Sequence, residues 1–214
     1  MNTIAVKPMQ TPYGYKEQHL MIDGVFLPYY VDSYAKASER GYFKGSVSLL
    51  GLYPAWGKDL LHRGEIRFIW NLIDREEPVV LPLLVCEDDL DLSCIVIVAF
   101  VRKEADIVYW DRIGFVSREE WELQQEICSG ILHLESYTDE DWIKYGDNIA
   151  LEQPHSKAWK RWISENWDEE LFRRCMNYTL PYYLDENHTI WLQQVSWEFD
   201  RKTYEFCVDI YRSK

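Results

Sequence analysis

The chain has no apolar run long enough to cross a membrane. Its longest, Val79–Cys86 and Cys94–Val101, are strand-sized, whereas a helical span needs about 20 residues. No Cys-x-x-Cys pair occurs among Cys86, Cys94, Cys128, Cys175 and Cys207, and the five histidines show no metal-ligand spacing. That excludes a recognisable zinc module, and the odd cysteine count points to buried, reduced thiols rather than a disulfide framework. A Gly-x-Ser-x-Gly elbow is absent, which removes the commonest sequence signature of a serine hydrolase. The stretch Gly51–Asp59 has five residues between its glycines, Pro54 among them, and Asp59 after the lysine. A phosphate-binding loop needs four, a full set of backbone donors and a Ser or Thr for magnesium, so this stretch reads as a turn. There is no internal repeat, low-complexity tract or Gly/Ser linker. Met1–Gln18 lacks the apolar segment of a secretory signal. These absences together lead to the expectation of a cytoplasmic protein with no cofactor, no metal and no membrane partner.

What is present is ordinary globular composition with unusual aromatics and charge. In 214 residues, 47% are hydrophobic and 28% charged, and there are 10 Trp and 15 Tyr. This much apolar and aromatic content argues against disorder, and the length suits one sizeable domain spanning 1–214. Charge is distributed unevenly. Residues 86–152 hold 17 acidic and 5 basic side chains, a balance of −12, while the other 147 residues hold 19 and 18. One segment therefore carries nearly all of the net charge of −13. A surface of that sign repels nucleic acid and anionic membranes and suits a cationic partner.

Periodicity and turn residues indicate an α+β fold with a mostly antiparallel sheet and several packed helices. Asp23-Gly24 between apolar triplets predicts a hairpin. Residues 58–77 repeat apolar positions at helical spacing. Pro78–Cys86 and Ser93–Arg102 read as buried strands joined by the short acidic loop Glu87–Asp91, and are therefore antiparallel. Asp106–Val116 adds a third strand. Ser117 with Glu119 and Glu120 opens a helix, and Thr138 with Asp139, Glu140 and Asp141 opens another. A single helix is expected from Ser156 to Cys175, closed by Pro181. A terminal hairpin is expected from Thr189–Trp197 and Thr203–Tyr211.

Two acidic features stand out as candidate sites. Glu87, Asp88, Asp89 and Asp91 crowd a hairpin tip. The run Glu119–Glu152 has ten acids against Lys144 alone, interleaved with Trp121, Tyr137, Trp142 and Tyr145. Carboxylates steer a basic partner and aromatics anchor it, so Glu87, Asp88, Asp89, Asp91, Glu119, Glu120, Asp139, Glu140, Asp141 and Trp142 are expected to contact a basic protein. The hairpin tip lacks the central Gly and distant Glu of a calcium loop. Recognition is therefore expected there rather than metal binding. The enzymatic alternative is a hydrolase whose clustered carboxylates act as general acid and base, with or without a metal. It requires them to converge in a cleft with a perturbed pKa.

In general organisation the middle third resembles the small, acidic, Trp-rich bacterial immunity proteins that neutralise polymorphic toxins. The residues carrying the likeness are Pro82-Leu83-Leu84-Val85-Cys86-Glu87-Asp88-Asp89, Val108-Tyr109-Trp110-Asp111-Arg112-Ile113-Gly114 and Tyr137-Thr138-Asp139-Glu140-Asp141-Trp142. The resemblance implies an intracellular inhibitor of a cationic partner such as a toxin nuclease.

Overall fold

The computed structural model describes residues 1–12, 14, 16–38, 48–128, 139–140, 143 and 157–213. Strands β1 (Ile4–Gln10), β2 (Lys16–Ile22) and β3 (Val25–Phe26) form a small antiparallel sheet. Its turn is the one the sequence predicts: Asp23 and Gly24 both have positive φ, 49° and 81°. That pairing is the signature of a two-residue turn matched to strand twist. Helix α1 (Leu27–Ala37) follows at once, with Pro28 in its first turn, where the missing N–H costs nothing.

The main sheet is an antiparallel meander of β4 (Tyr53–Pro54), β5 (Val79–Val85), β6 (Val96–Lys103), β7 (Ile107–Val116) and β8 (Thr189–Asp200) in chain order. All seven residues of β5 are buried, as its unbroken apolar run requires. Pro82 sits inside this strand, where it would break a regular ladder. The register shifts between Pro82 and Leu84, placing the proline at a bulge. Its carbonyl accepts a hydrogen bond from Trp56 Nε1 at 2.7 Å. The loop Gly51–Asp59 thus serves the core: Trp56 is fully buried, with its ring edge-on to Trp110 and Tyr204.

Helix α2 (Arg63–Ile73) contacts β5, and α5 (Trp167–Arg174) packs on α2. The close approach depends on Gly64. A Cβ there would lie 2.6 Å from the Asp168 carbonyl oxygen and 2.8 Å from Leu171 Cβ. Helix α3 (Arg118–Cys128) starts at Ser117, whose Oγ accepts from Glu120 N at 3.4 Å. One apolar cluster includes residues of both sheets and of the helices, from Ile4 and Ile22 to Val80, Val98, Phe68 and Tyr204. The fold is α+β, as expected.

Two expected elements differ. The stretch 157–184 is not one helix closed by Pro181. Asn166, at φ −123° and ψ 24°, breaks it into α4 (Lys157–Glu165) and α5. A π-helical turn, Cys175–Thr179, then leads into α6 (Leu180–Leu184), where Pro181 occupies the first turn. Ser156 lies outside the described residues. The expected terminal hairpin is instead β8 followed by α7 (Arg201–Arg212). Its Tyr, Phe, Val and Ile favour strand intrinsically, but Tyr204, Cys207, Val208 and Tyr211 are buried at helical spacing. Asp200 caps the first turn by accepting from Thr203 N at 2.8 Å. Tertiary packing decides between the two. Helix α7 contacts β1, β7 and β8, and the Tyr211 hydroxyl donates to Gln18 O at 2.7 Å. Among the described residues no helix is long and apolar enough to cross a membrane.

Candidate functional site

The connection between β5 and β6 has an anchored limb and a free limb. It turns through Leu90, whose N–H donates to Cys86 O at 3.0 Å and whose φ is +51°. Leu61 N donates to Leu90 O at 2.7 Å. Asp91 is 7% exposed and folds the chain locally, accepting from Ser93 N at 2.8 Å and Ser93 Oγ at 2.7 Å. Leu92 is fully buried, and its N–H reaches Glu65 Oε1. On the free limb Glu87 is half-buried while Asp88 and Asp89 are exposed. Partial burial and the neighbouring Asp88 charge raise the Glu87 carboxyl above its ordinary range.

The anchored limb touches α3 at Ser93. Gln125 Nε2 donates to Ser93 O at 3.1 Å, tying the outer surface of the helix to the loop. Glu119, Glu122 and Glu126 are exposed on that helix, and Glu122, one turn before Gln125, is its neighbour on the helix surface. Loop and helix, separate in sequence, are joined at this point. Trp121 is half-buried against Phe115, with ring centroids 6.4 Å apart.

The inner surface of α3 belongs to a buried polar network. Glu120, expected at an interface, is 1% exposed and is thereby removed from the partner-facing set. On a packed helix consecutive acids cannot all face water, and the 3.6-residue period turns Glu120, Gln124 and Ile127 inward together. Asp91 is withdrawn in the same way by its turn-forming role. Asp139 and Glu140 are helical and exposed, while Asp141 and Trp142 lie outside the described residues.

Glu65, at 0% exposure, accepts from Gln124 Nε2 at 2.6 Å, and Thr179 Oγ1 in the π-turn donates to Gln124 Oε1 at 2.8 Å. Tyr183 Oη donates to Glu120 Oε1 at 3.3 Å. Burial pushes the Glu65 carboxyl up to about 8, helped by the Asp91 charge and opposed by the Gln124 hydrogen bond. Burial likewise pushes Glu120 up to about 8 against the Tyr183 hydrogen bond. Both are predominantly neutral acids at pH 7. Nearby Glu170 behaves oppositely. Burial raises it, but hydrogen bonds and charge from Arg173 and Arg174 outweigh that and hold it low. None of this network was visible in the sequence, because its members come from α2, α3, the π-turn and α6.

Comparison with protein-family models, with curated proteins and with solved structures found no match.

The same loop contains a cluster the sequence reading did not foresee. Cys86 directly follows β5, Cys94 precedes β6, and Asp89 lies on the limb between Cys86 and Leu90. One ligand atom from each lies within 4.8 Å of the others. Seven residues separate the two cysteines, which is no metal-binding spacing by itself. The hairpin geometry closes the gap. Burial, then Asp89, push the Cys94 thiol up to about 12, with Cys86 adding to the effect. All five cysteines are free thiols. Two surface clefts of about 190 and 250 Å³ lie elsewhere, and neither is lined by a residue of the β5–β6 loop or α3.

Proposed function

We propose that this chain is a binding protein of the immunity type, which neutralises a cationic protein such as a toxin nuclease by covering the surface that meets phosphate. The observation that supports this reading is the hydrogen bond from Gln125 to Ser93. It ties α3, with exposed Glu119, Glu122 and Glu126, to the loop that carries Glu87, Asp88 and Asp89. Fixed carboxylates on adjacent rigid elements act together as a field, which raises encounter rates with a basic partner. Residues 90–93 of the loop are held by Glu65, Leu61 and Gln125, which lowers the ordering entropy lost on binding. The hydrolase alternative draws on Glu65 and Glu120, whose raised pKa values are of the type general acids need. Their exposures of 0% and 1% keep substrate from reaching them, so this reading has less support.

The test is capture from the host with the wild-type chain and with a Glu87→Gln, Asp88→Asn, Glu119→Gln variant, followed by association kinetics with the captured protein. The expected partner is basic. Its association rate should fall about tenfold or more from low to high salt, and comparably in the triple variant. A neutral or acidic partner, or an unchanged rate constant for the variant, rules the reading out.

A further inference from the structure

We propose that Cys86, Cys94 and Asp89 form a three-ligand site for a thiophilic divalent cation, zinc above all, with the fourth position open to water. The three ligand atoms already lie within 4.8 Å of one another. Around a tetrahedral zinc with Zn–S bonds of about 2.3 Å, ligand atoms stand roughly 3.8 Å apart. The remaining contraction is at most about 1 Å, within reach of small side-chain rotations.

Donor chemistry selects the ion. Two thiolates disfavour calcium and magnesium, which take oxygen ligands. The carboxylate disfavours copper(I), which prefers sulfur alone, and the mixed set suits zinc. Neither cysteine belongs to the core cluster as a fully buried residue. Both are half-buried at the mouths of buried strands, and Asp89 is exposed. The site thus has a rigid side and a solvent side, the arrangement that leaves a coordination position free. Asp91 is occupied by Ser93 and is not a ligand. It adds, with Glu87 and Asp88, to the negative field that draws a cation in.

Binding deprotonates two thiols and releases both protons to solvent. One dication replaces two protons, so the charge of the acidic face is unchanged. The site therefore stands or fails independently of the cationic-partner reading.

The experiment uses the full chain, reduced and metal-free, titrated with cobalt(II) and then zinc(II). The expected result is one equivalent of cobalt giving thiolate-to-metal charge-transfer absorption with tetrahedral d–d bands, both abolished by one equivalent of zinc. Proton release should accompany binding. Cys86→Ser and Cys94→Ser should each remove most of the charge-transfer band, whereas Cys128→Ser should leave it intact. Asp89→Asn should weaken zinc binding by about tenfold or more, since even second-shell substitutions cost that much. Circular dichroism checks folding of each variant. If a serine variant does not fold, Asp89→Asn at its exposed position carries the test. The proposal is overturned by absence of the band in the reduced wild type, by a band that survives both serine substitutions, or by undiminished zinc affinity in Asp89→Asn.

Discussion

Replacing Glu65 with Gln should change how stability depends on pH. In the folded chain the carboxyl is pushed up from 4.5 to about 8, chiefly by burial. Between those values the unfolded state has lost its proton and the folded state has kept it, so ∂ΔG/∂pH is negative. The stability this group contributes is fully present below about pH 4.5 and is lost as pH rises towards 8. The slope is about 1.4 kcal/mol per pH unit, or about 3 kcal/mol between pH 5 and 7.5. Gln cannot ionise, and its carbonyl can still accept from Gln124 and Leu92. Urea unfolding followed by tryptophan fluorescence at several pH values gives ΔG for both proteins. The difference should move by about 3 kcal/mol in favour of Glu65→Gln across that range. Groups remote from Glu65 contribute alike to both curves and cancel in the difference, while Glu120, raised further by the Glu65 charge, shifts it in the same direction. Parallel curves would refute the burial argument, because they would mean that Glu65 titrates alike in both states.

Two further predictions concern the scaffold. His19 on β2 is fully buried, and burial lowers its pKa from 6.5 to about 4. Here the unfolded state takes up a proton first as pH falls. Stability should therefore drop on the acid side by up to about 3 kcal/mol between pH 6.5 and 4, and His19→Leu should flatten that limb in acid-unfolding curves; an equally steep limb in the variant would count against it. Gly64→Ala should cost about 2–3 kcal/mol by forcing α2 away from Asp168 and Leu171. An alanine free of clashes would instead stabilise the helix by about 1 kcal/mol, so a raised thermal midpoint would contradict the packing described.

Much of the frame was legible from residue order. Asp23-Gly24 marks its hairpin by turn chemistry, and the apolar runs around 79–85 and 96–103 mark buried strands by length. Ser117 marks a helix start through its hydroxyl. Each of these signals is local, resting on a few neighbouring residues whose preference the tertiary structure does not oppose. Helix α7 shows the limit. Its β-prone residues mislead until their burial at Tyr204, Cys207, Val208 and Tyr211 reveals the helical period. The break at Asn166 likewise falls where the chain has no Pro or Gly to mark it.

The candidate site divides along the same line. By itself the sequence determined that an acidic excess lies in 86–152 and that it concentrates at a hairpin tip and along a later run, because formal charge and turn propensity are properties of residue order. Only the tertiary structure decided which acids face outward. Glu87, Asp88, Asp89 and Glu119 remain on or near the surface, while Glu120 and Asp91 turn inward, since a packed helix and a closed loop must each commit a face to the core. Only it brought Gln125 to Ser93 and Cys86 to Cys94. Those proximities depend on strand register and on where α3 docks, and a contact between residues distant in the chain leaves no mark in local composition.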